Sequence, residues 1–294
     1  PQEMKDTPEA EMIRTAIRLM RNGLIENRGI PDLKPIEFQF KDSVPLGRVQ
    51  FLMAEVPLVD EEIRLGWGVV RETADRMAEL GFTAFELPIA GTRRRRVWAR
   101  IEDEDKLREA GIQFQRYVDV LGADIEIEML RNCPMFLGVN EVIRFTRWGE
   151  RRFPELGKEV SKSVPLMRLT EVVQRLTREG VSLRNARLLL ETVLDWAPKE
   201  RDPDVIADYV RLALKRQMCH EVARDGIIEV VLLAPELEDR LRSSMRQTSQ
   251  GTYLDLDAET EQSVLDRLSE LITNNCSPIT PPVMVTAADI RRSV

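Results

Sequence analysis

Histidine is nearly absent from this chain, and cysteine is scarce. The single histidine is His220, and the three cysteines, Cys133, Cys219 and Cys276, lie far apart. With no second histidine and no CxxC pair, a zinc centre has no ligand set. An odd, scattered set of cysteines offers no disulfide framework and fits a reducing compartment. His220 directly follows Cys219, but adjacent helical residues point about 100° apart, so the two do not converge on a metal or form a nucleophile–base pair. No apolar run approaches the roughly 18 residues of a membrane span. No glycine-rich phosphate loop, HExxH or GxSxG pattern occurs, so the residues imply no cofactor and nominate no catalytic group. Carboxylates are so plentiful that pairs such as Asp103 and Glu104 say nothing about acid–base work. The opening PQEMKDTPEAEM is acidic and polar, unlike a signal peptide, and it starts at Pro1 rather than Met, as an excised domain would.

What is present is an ordinary globular composition, 43% apolar and 32% charged over 294 residues, long enough for more than one core. The net charge of −7 is unevenly spread. Residues 138–217 carry a surplus of positive charge, +4, between acidic flanks of −5 and −6. Such a split favours contact between unlike surfaces, including those of two copies, over nucleic-acid binding.

The patterning predicts an α+β fold of four small subdomains. Thr7 and Pro8 form a helix start, followed by Met12, Ile13, Ala16, Ile17, Met20 and Leu24 at helical spacing. PIEFQFK alternates like a half-buried strand, and RVQFLMAEV continues in that manner. Residues 69–117 mix a helix from Arg71 to Leu80, strands in FTAFELPI and RVWARI, and a short charged helix in DEDKLREAG. GWG at Gly66 to Gly68 reads as a turn or bulge. Residues 118–137 are predicted helical. Residues 138–217 are read as nearly all helix, over 139–150, 166–179, 183–196 and 203–217, with Ser182 as the cap of the third. Pro198 ends that helix near Trp196, and Asp202–Pro203 starts the next. Trp196, Leu189, Leu190 and Val193 share a stripe with Ala186 and are expected to be buried. From 218 onward strands (GIIEVVLLA, TYLDLD, PPVMVTA) alternate with helices, and ADIRRSV is read as a helix start.

VVQRLTREGVSLRNARLLLETV has the outline of a helix-turn-helix, with Arg184, Asn185 and Arg187 as possible base readers. Arg184, Arg187 and Glu191 equally form a solvated helical face, and the chain is acidic. A structural corner is the better reading; a DNA-binding regulator is the alternative. TRRRRVWAR, the densest basic run, is read as strand or exposed loop, with a protein partner as an allowance.

The run VPLMRLTEVVQRLTREGVSLRNARLLLETVLDWAPKERDPDVIADYVRLALKRQMC closely resembles the helical hallmark of the FHIPEP family, the export-gate proteins of bacterial type III secretion. FLGVNEV precedes it as in the family. MRQTSQGTYLDLD and PPVMVTAADIRRSV match further on, and resemble the virulence branch. The resemblance covers nearly the whole chain and is weakest over residues 1–110. It implies the cytoplasmic half of an integral inner-membrane protein, whose membrane-spanning N-terminal half is not in this chain. It implies four subdomains: 1–68 with 118–137, an inserted 69–117, a helical 138–217, and 218–294. It implies a homo-nonameric ring at the cytoplasmic face of the inner membrane, without enzymatic activity. The ring receives chaperone–effector complexes, a gatekeeper protein and a stalk protein linked to the export ATPase. Members usually continue past DIRR, so the last subdomain is expected to lack an edge. The apolar chaperone patch of flagellar members falls near Thr92 to Arg96, which is basic here, and is not carried over.

Two sites follow as expectations. Ring contacts are assigned to Arg147, Arg151, Arg152, Arg168, Arg175, Arg184 and Arg187, meeting acidic residues of a neighbouring copy. Chaperone docking is assigned to a cleft between the second and fourth subdomains, with Phe85, Leu87, Pro88 and Ile89 as apolar anchors. The opposing reading has Phe85 and Leu87 facing the subdomain's own core. An enzyme using a cleft between the α/β subdomains would need clustered, perturbed titratable groups, for which no motif is present.

Overall fold

Thr7 starts the first helix as its position predicts. In the computed structural model, which describes residues 2–88, 95–223, 225–248, 251–275 and 283–292, its hydroxyl accepts from the Ala10 amide at the head of α1 (Pro8–Glu26). One stripe of α1, Ala10, Ile13, Ile17, Met20 and Leu24, is buried. PIEFQFK then alternates in burial as predicted, with Ile36, Phe38 and Phe40 half-buried. It nevertheless joins no sheet among the described residues; Pro35 lacks an amide donor, and Phe40 is occupied beneath the Arg14 guanidinium at 5.0 Å. Nor is RVQFLMAEV one strand. β1 (Arg48–Met53) turns at Ala54 and Glu55, both at positive φ, into antiparallel β2 (Val56–Glu62), the geometry of a tight hairpin.

A four-stranded sheet follows, ordered β4-β5-β3-β6 from β3 (Trp67–Val70), β4 (Ala84–Pro88), β5 (Arg95–Arg100) and β6 (Phe114–Arg116). Of the GWG run, Gly66 lies in the turn that leads into β3, as read, and Gly68 lies within the strand. One sheet face, Val70, Val97 and Ala99, packs with Met77 of α2 (Ala74–Glu79) and Leu107 of α3 (Glu104–Glu109). The other face meets α4 (Tyr117–Arg131), where Trp98 lies 6.1 Å from Tyr117. α4 also packs on α1: a Cβ on Gly122 would come within 3.9 Å of Met20.

The helical region carries the largest core. It comprises α5 (Val139–Arg152), α6 (Pro154–Ser163), α7 (Leu166–Arg178), α8 (Ala186–Trp196) and α9 (Pro203–Ala213). Leu169, Val172, Leu176, Leu189, Leu190, Val193, Ile206 and Val210 are among its fully buried side chains. α6 was not anticipated; Pro154 at its first position is the signal the sequence offered. α5 and α6 touch so closely that a Cβ on Gly157 would lie 2.6 Å from the Glu150 Cα. Ser182 is not a helix cap. Its hydroxyl donates to the Asn27 carbonyl at 2.8 Å, and α8 starts three residues later than predicted, capped by Asn185. Trp196 is only partly buried and stacks on Tyr209, centroids 3.4 Å apart, because α8 ends at the surface where α9 crosses it.

Beyond α10 (Lys215–Val222) come β7 (Val230–Leu232), α11 (Pro235–Ser243), the hairpin β8 (Met245–Thr248) and β9 (Gly251–Leu254), α12 (Ala258–Asn275) and β10 (Val283–Val285). β10 pairs parallel with β7. Residues 288–292 form turns rather than the helix start read from ADIRR. The fold is α+β. The chain divides into two compact units, residues 1–86 with 97–218, and 87–96 with 219–294.

Candidate interaction surface

The basic surplus of the helical region separates into cations used inside the molecule and cations left on its surface. Arg175 bridges Glu179 at 2.6 Å and lies 3.8 Å from Asp204, while Arg211 reaches the other Glu179 oxygen at 2.7 Å. This half-buried cluster ties the end of α7 to α9. Arg168 donates to the Ala197 carbonyl at 2.8 Å, satisfying the C-terminal end of α8. Arg187 pairs with Glu191 one turn on at 2.8 Å, and that carboxylate holds its pKa above the ordinary arginine value. Arg147, Arg151, Arg152 and Arg184 are exposed, with no ion pair or side-chain hydrogen bond among the described residues. Of the seven arginines expected at a ring contact, these four present free charge.

On α5 the exposed arginines flank Trp148, which is 44% exposed and stacks over Phe145, centroids 6.5 Å apart. The opposite face of α5, Val142, Phe145, Thr146 and Gly149, is buried. Trp148 was not singled out from the sequence. Its signal was an aromatic residue out of phase with the apolar stripe, inside a run of arginines.

The outline of a helix-turn-helix is present only in part. The segment before α8 is held against the end of α1: the Leu183 amide donates to the Arg28 carbonyl at 2.7 Å, and Arg28 Nη1 donates to the Gly180 carbonyl at 2.8 Å. Gly29, at φ +71°, lies so close that a Cβ there would meet the Arg184 amide nitrogen at 2.8 Å. The backbone at Leu183 and Arg184 is thus held by the end of α1, while the side chains of Arg184, Asn185 and Arg187 stay exposed.

Of the proposed docking residues, Phe85, Leu87 and Pro88 lie on the sheet's edge strand. Ala84 packs against the sheet core, while Phe85 points to the other face and meets Trp67 edge-on at 4.7 Å. Arg100 covers the Trp67 ring at 5.4 Å. Leu87 is half-buried and Pro88 exposed; Ile89 lies outside the described residues, as do Thr92 to Arg94 of the basic run and Cys276. Phe85 and Leu87 alternate out of phase with Ala84, so they do not line the core formed with Met77 and Leu107.

Titratable groups give no reactive cluster among the described residues. Burial, with the Glu61 carboxylate alongside, pushes the Tyr117 hydroxyl well above its ordinary value. Burial likewise raises the Cys133 thiol, which is the less reactive form. Among the described residues no group of His, Cys, Asp and Glu could hold a metal ion, and no helix is long and apolar enough to cross a membrane.

Known proteins share this arrangement along nearly its full length. The low calcium response locus protein D of Yersinia pestis is 30% identical over 287 residues, 97% of this chain. The chain spans 41% of that relative's length. Among solved structures, the C-terminal domain of InvA superposes with a TM-score of 0.80 at 26% identity, covering 99% of this chain and 88% of the other. The nonameric EscV cytosolic domain from the type III secretion system gives 0.65 at 26% identity, covering 95% and 82%. The Chlamydia pneumoniae CdsV and CdsO protein complex gives 0.73 at 29% identity, covering 96% and 81%. The model of the FHIPEP family matches residues 2–294, and with the helical hallmark, the α+β architecture and these relatives in agreement, the chain belongs to the FHIPEP family.

Proposed function

We propose that this chain acts as the cytoplasmic part of a type III secretion export gate, assembling into a homo-nonameric ring that receives chaperone–substrate complexes and helps regulate export. The observation that carries this reading is the likeness, over 95% of the chain, to a cytosolic domain that is itself nonameric. The free arginines on α5 and at the head of α8 support it, since a ring needs surface charge that is not already paired within one copy. The chain's place would be beneath the bacterial inner membrane, joined to a membrane-spanning half. Its role would be docking rather than catalysis. The solved complex of the relative CdsV with CdsO supports a protein partner, and in this reading a stalk protein linked to the export ATPase is one such partner. A gatekeeper protein is a further partner in this reading. The division into four subdomains stays part of the proposal, finer than the two compact units.

Particle imaging and native mass measurement of the chain at rising concentration test the ring. Nine-fold particles are expected. A monomer at the solubility limit, or a closed dimer, would overturn the ring. Docking at the sheet edge is tested separately, with a chaperone encoded beside this protein's gene. Leu87→Asp and Ile89→Asp are expected to abolish its capture at unchanged melting temperature; full capture by both variants removes the site.

A further inference from the structure

The stretch from Gly180 to Arg184 joins α7 to α8 and has no helix or strand of its own. The Leu183 side chain lies in the core of the helical region, but the backbone around it is tied elsewhere. The Leu183 amide donates to the Arg28 carbonyl at 2.7 Å, and the Ser182 hydroxyl donates to the Asn27 carbonyl at 2.8 Å. This turn therefore satisfies the two carbonyls that follow α1. Arg28 returns the contact: its Nη1 donates to the Gly180 carbonyl at 2.8 Å, and its Nε lies 3.8 Å from Glu126 of α4. Asp32, a little further on, pairs with Arg144 of α5. Residues 27–32 thus bind α4, α5 and the head of α8 together.

Position 29 needs glycine for two reasons. Its φ of +71° is one that side chains rarely adopt, and a Cβ there would meet the Arg184 amide nitrogen at 2.8 Å and the Leu183 carbonyl carbon at 3.1 Å. Both are backbone atoms, which cannot swing aside as a flexible side chain can. The end of α1 lies this close to the head of α8 only because no side chain stands between them. α1 packs on α4, and α5 to α9 enclose a core of their own, so the angle between the two bodies is set where they meet. Hydrogen bonds are directional and apolar contact is not, so the bonds at this seam are what can fix an angle.

A closed ring joins two different faces of one copy, and it closes only if those faces keep one angle. Arg184 is among the free arginines, and its own amide nitrogen lies against Gly29. We propose that Arg28 and Gly29 are positioning residues of the ring: they latch α1 and α4 to the head of α8, and so hold the face that carries Arg184 at the angle closure requires. This rests on the ring reading and names what keeps each copy in shape for it.

The test uses the full 294-residue chain. Association is followed by sedimentation, particle shape by imaging, and single amides by hydrogen exchange. Gly29→Ala and Arg28→Ala are each expected to speed exchange at Leu183 by about tenfold, while Leu189 and Leu190 in the core of α8 keep their protection. Both variants should weaken association at least about fivefold and give open arcs in place of closed rings. Ser182→Ala should act in the same direction by about threefold; Ser182 is 2% exposed, so it cannot act by touching another copy. Arg28→Lys keeps a charge for Glu126 and a donor for Gly180, and should return association to within about threefold of wild type. If none of the three alanine variants quickens exchange at Leu183, there is no latch and the inference fails. If exchange quickens and closed rings still form at wild-type concentrations, the latch does not position the ring; the inference is overturned and the ring reading stands. Should Gly29→Ala strip protection from α8 as well, Arg28→Ala and Ser182→Ala decide between these outcomes. A wild-type chain that stays monomeric at the solubility limit overturns the ring reading and this role with it.

Discussion

The helical region from Leu137 to Leu214 and the α/β region from Cys219 onward differ in what holds them. In the first, a continuous cluster of side chains at or near zero exposure fills the space between five helices, and a four-membered ionic cluster links two of them. In the second, Leu241 and Ile290 are the buried hydrophobic side chains among the described residues. Ile227 is 68% exposed there and Leu232 69%. That region leans more on surface polar ties: Arg242 to Asp289 at 2.6 Å, and Glu238 accepting from Thr286 and the Ala287 amide. Close packing resists opening far better than exposed charge does, so the helical region should set global stability and the α/β region should open locally at lower cost.

The largest expected effect tests this contrast directly. Leu189→Ala should destabilise the chain by about 3–5 kcal/mol, the cost of a cavity in a fully buried core, whereas Leu232→Ala should stay within about 0.5 kcal/mol of wild type. Equal losses in urea unfolding would break the comparison. A smaller effect is expected at Trp196. Full burial would make its removal cost about 3–5 kcal/mol, but it is half-buried and held by stacking on Tyr209, so about 2 kcal/mol is expected for Trp196→Ala. A melting curve matching that of the Leu189 variant would show that the surface end of α8 belongs to the core.

The smallest expected effect is a pH dependence in the α/β region. Hydrogen bonding to Arg242 holds the Asp289 carboxyl below the usual carboxylate range. A group with a lowered folded pKa stabilises above its unfolded value, near about 3.9, and loses that contribution as pH falls through the folded value. Hydrogen exchange in α11 should therefore quicken in Asp289→Asn relative to wild type at pH 7, and the gap should close towards pH 3. A gap that persists at low pH would show that the contact acts through packing rather than charge.

Much of the helical region was legible because its signals are local. Thr7–Pro8 and Asp202–Pro203 are starts that need no tertiary partner, and the buried positions of α7 to α9 follow one period. Pairs one turn apart, such as Arg187 with Glu191, are equally local. What escaped depended on distant chain. Ser182 has the chemistry of a cap, but Asn27 took its hydroxyl from 155 residues away. PIEFQFK has the period of a strand, but among the described residues no neighbouring strand pairs with it. Arg168 looks the same in sequence as Arg147 and Arg151; only the approach of the Ala197 carbonyl, 29 residues on, separates it from the free cations.

The packing of α1 on α4 has a consequence for the growing chain on the ribosome. α1 is made before α4, which lies about 100 residues later, at ordinary rates of synthesis on the order of 5–20 s. Through that interval Ile13, Ile17, Met20 and Leu24 have no native cover. The Leu183 backbone that ties down the end of α1 emerges later still. The nascent chain thus carries a sticky, amphipathic helix for seconds before its own fold can hide it, and substitutions that make α1 more apolar should lower the yield of soluble protein before they change the stability of the finished one.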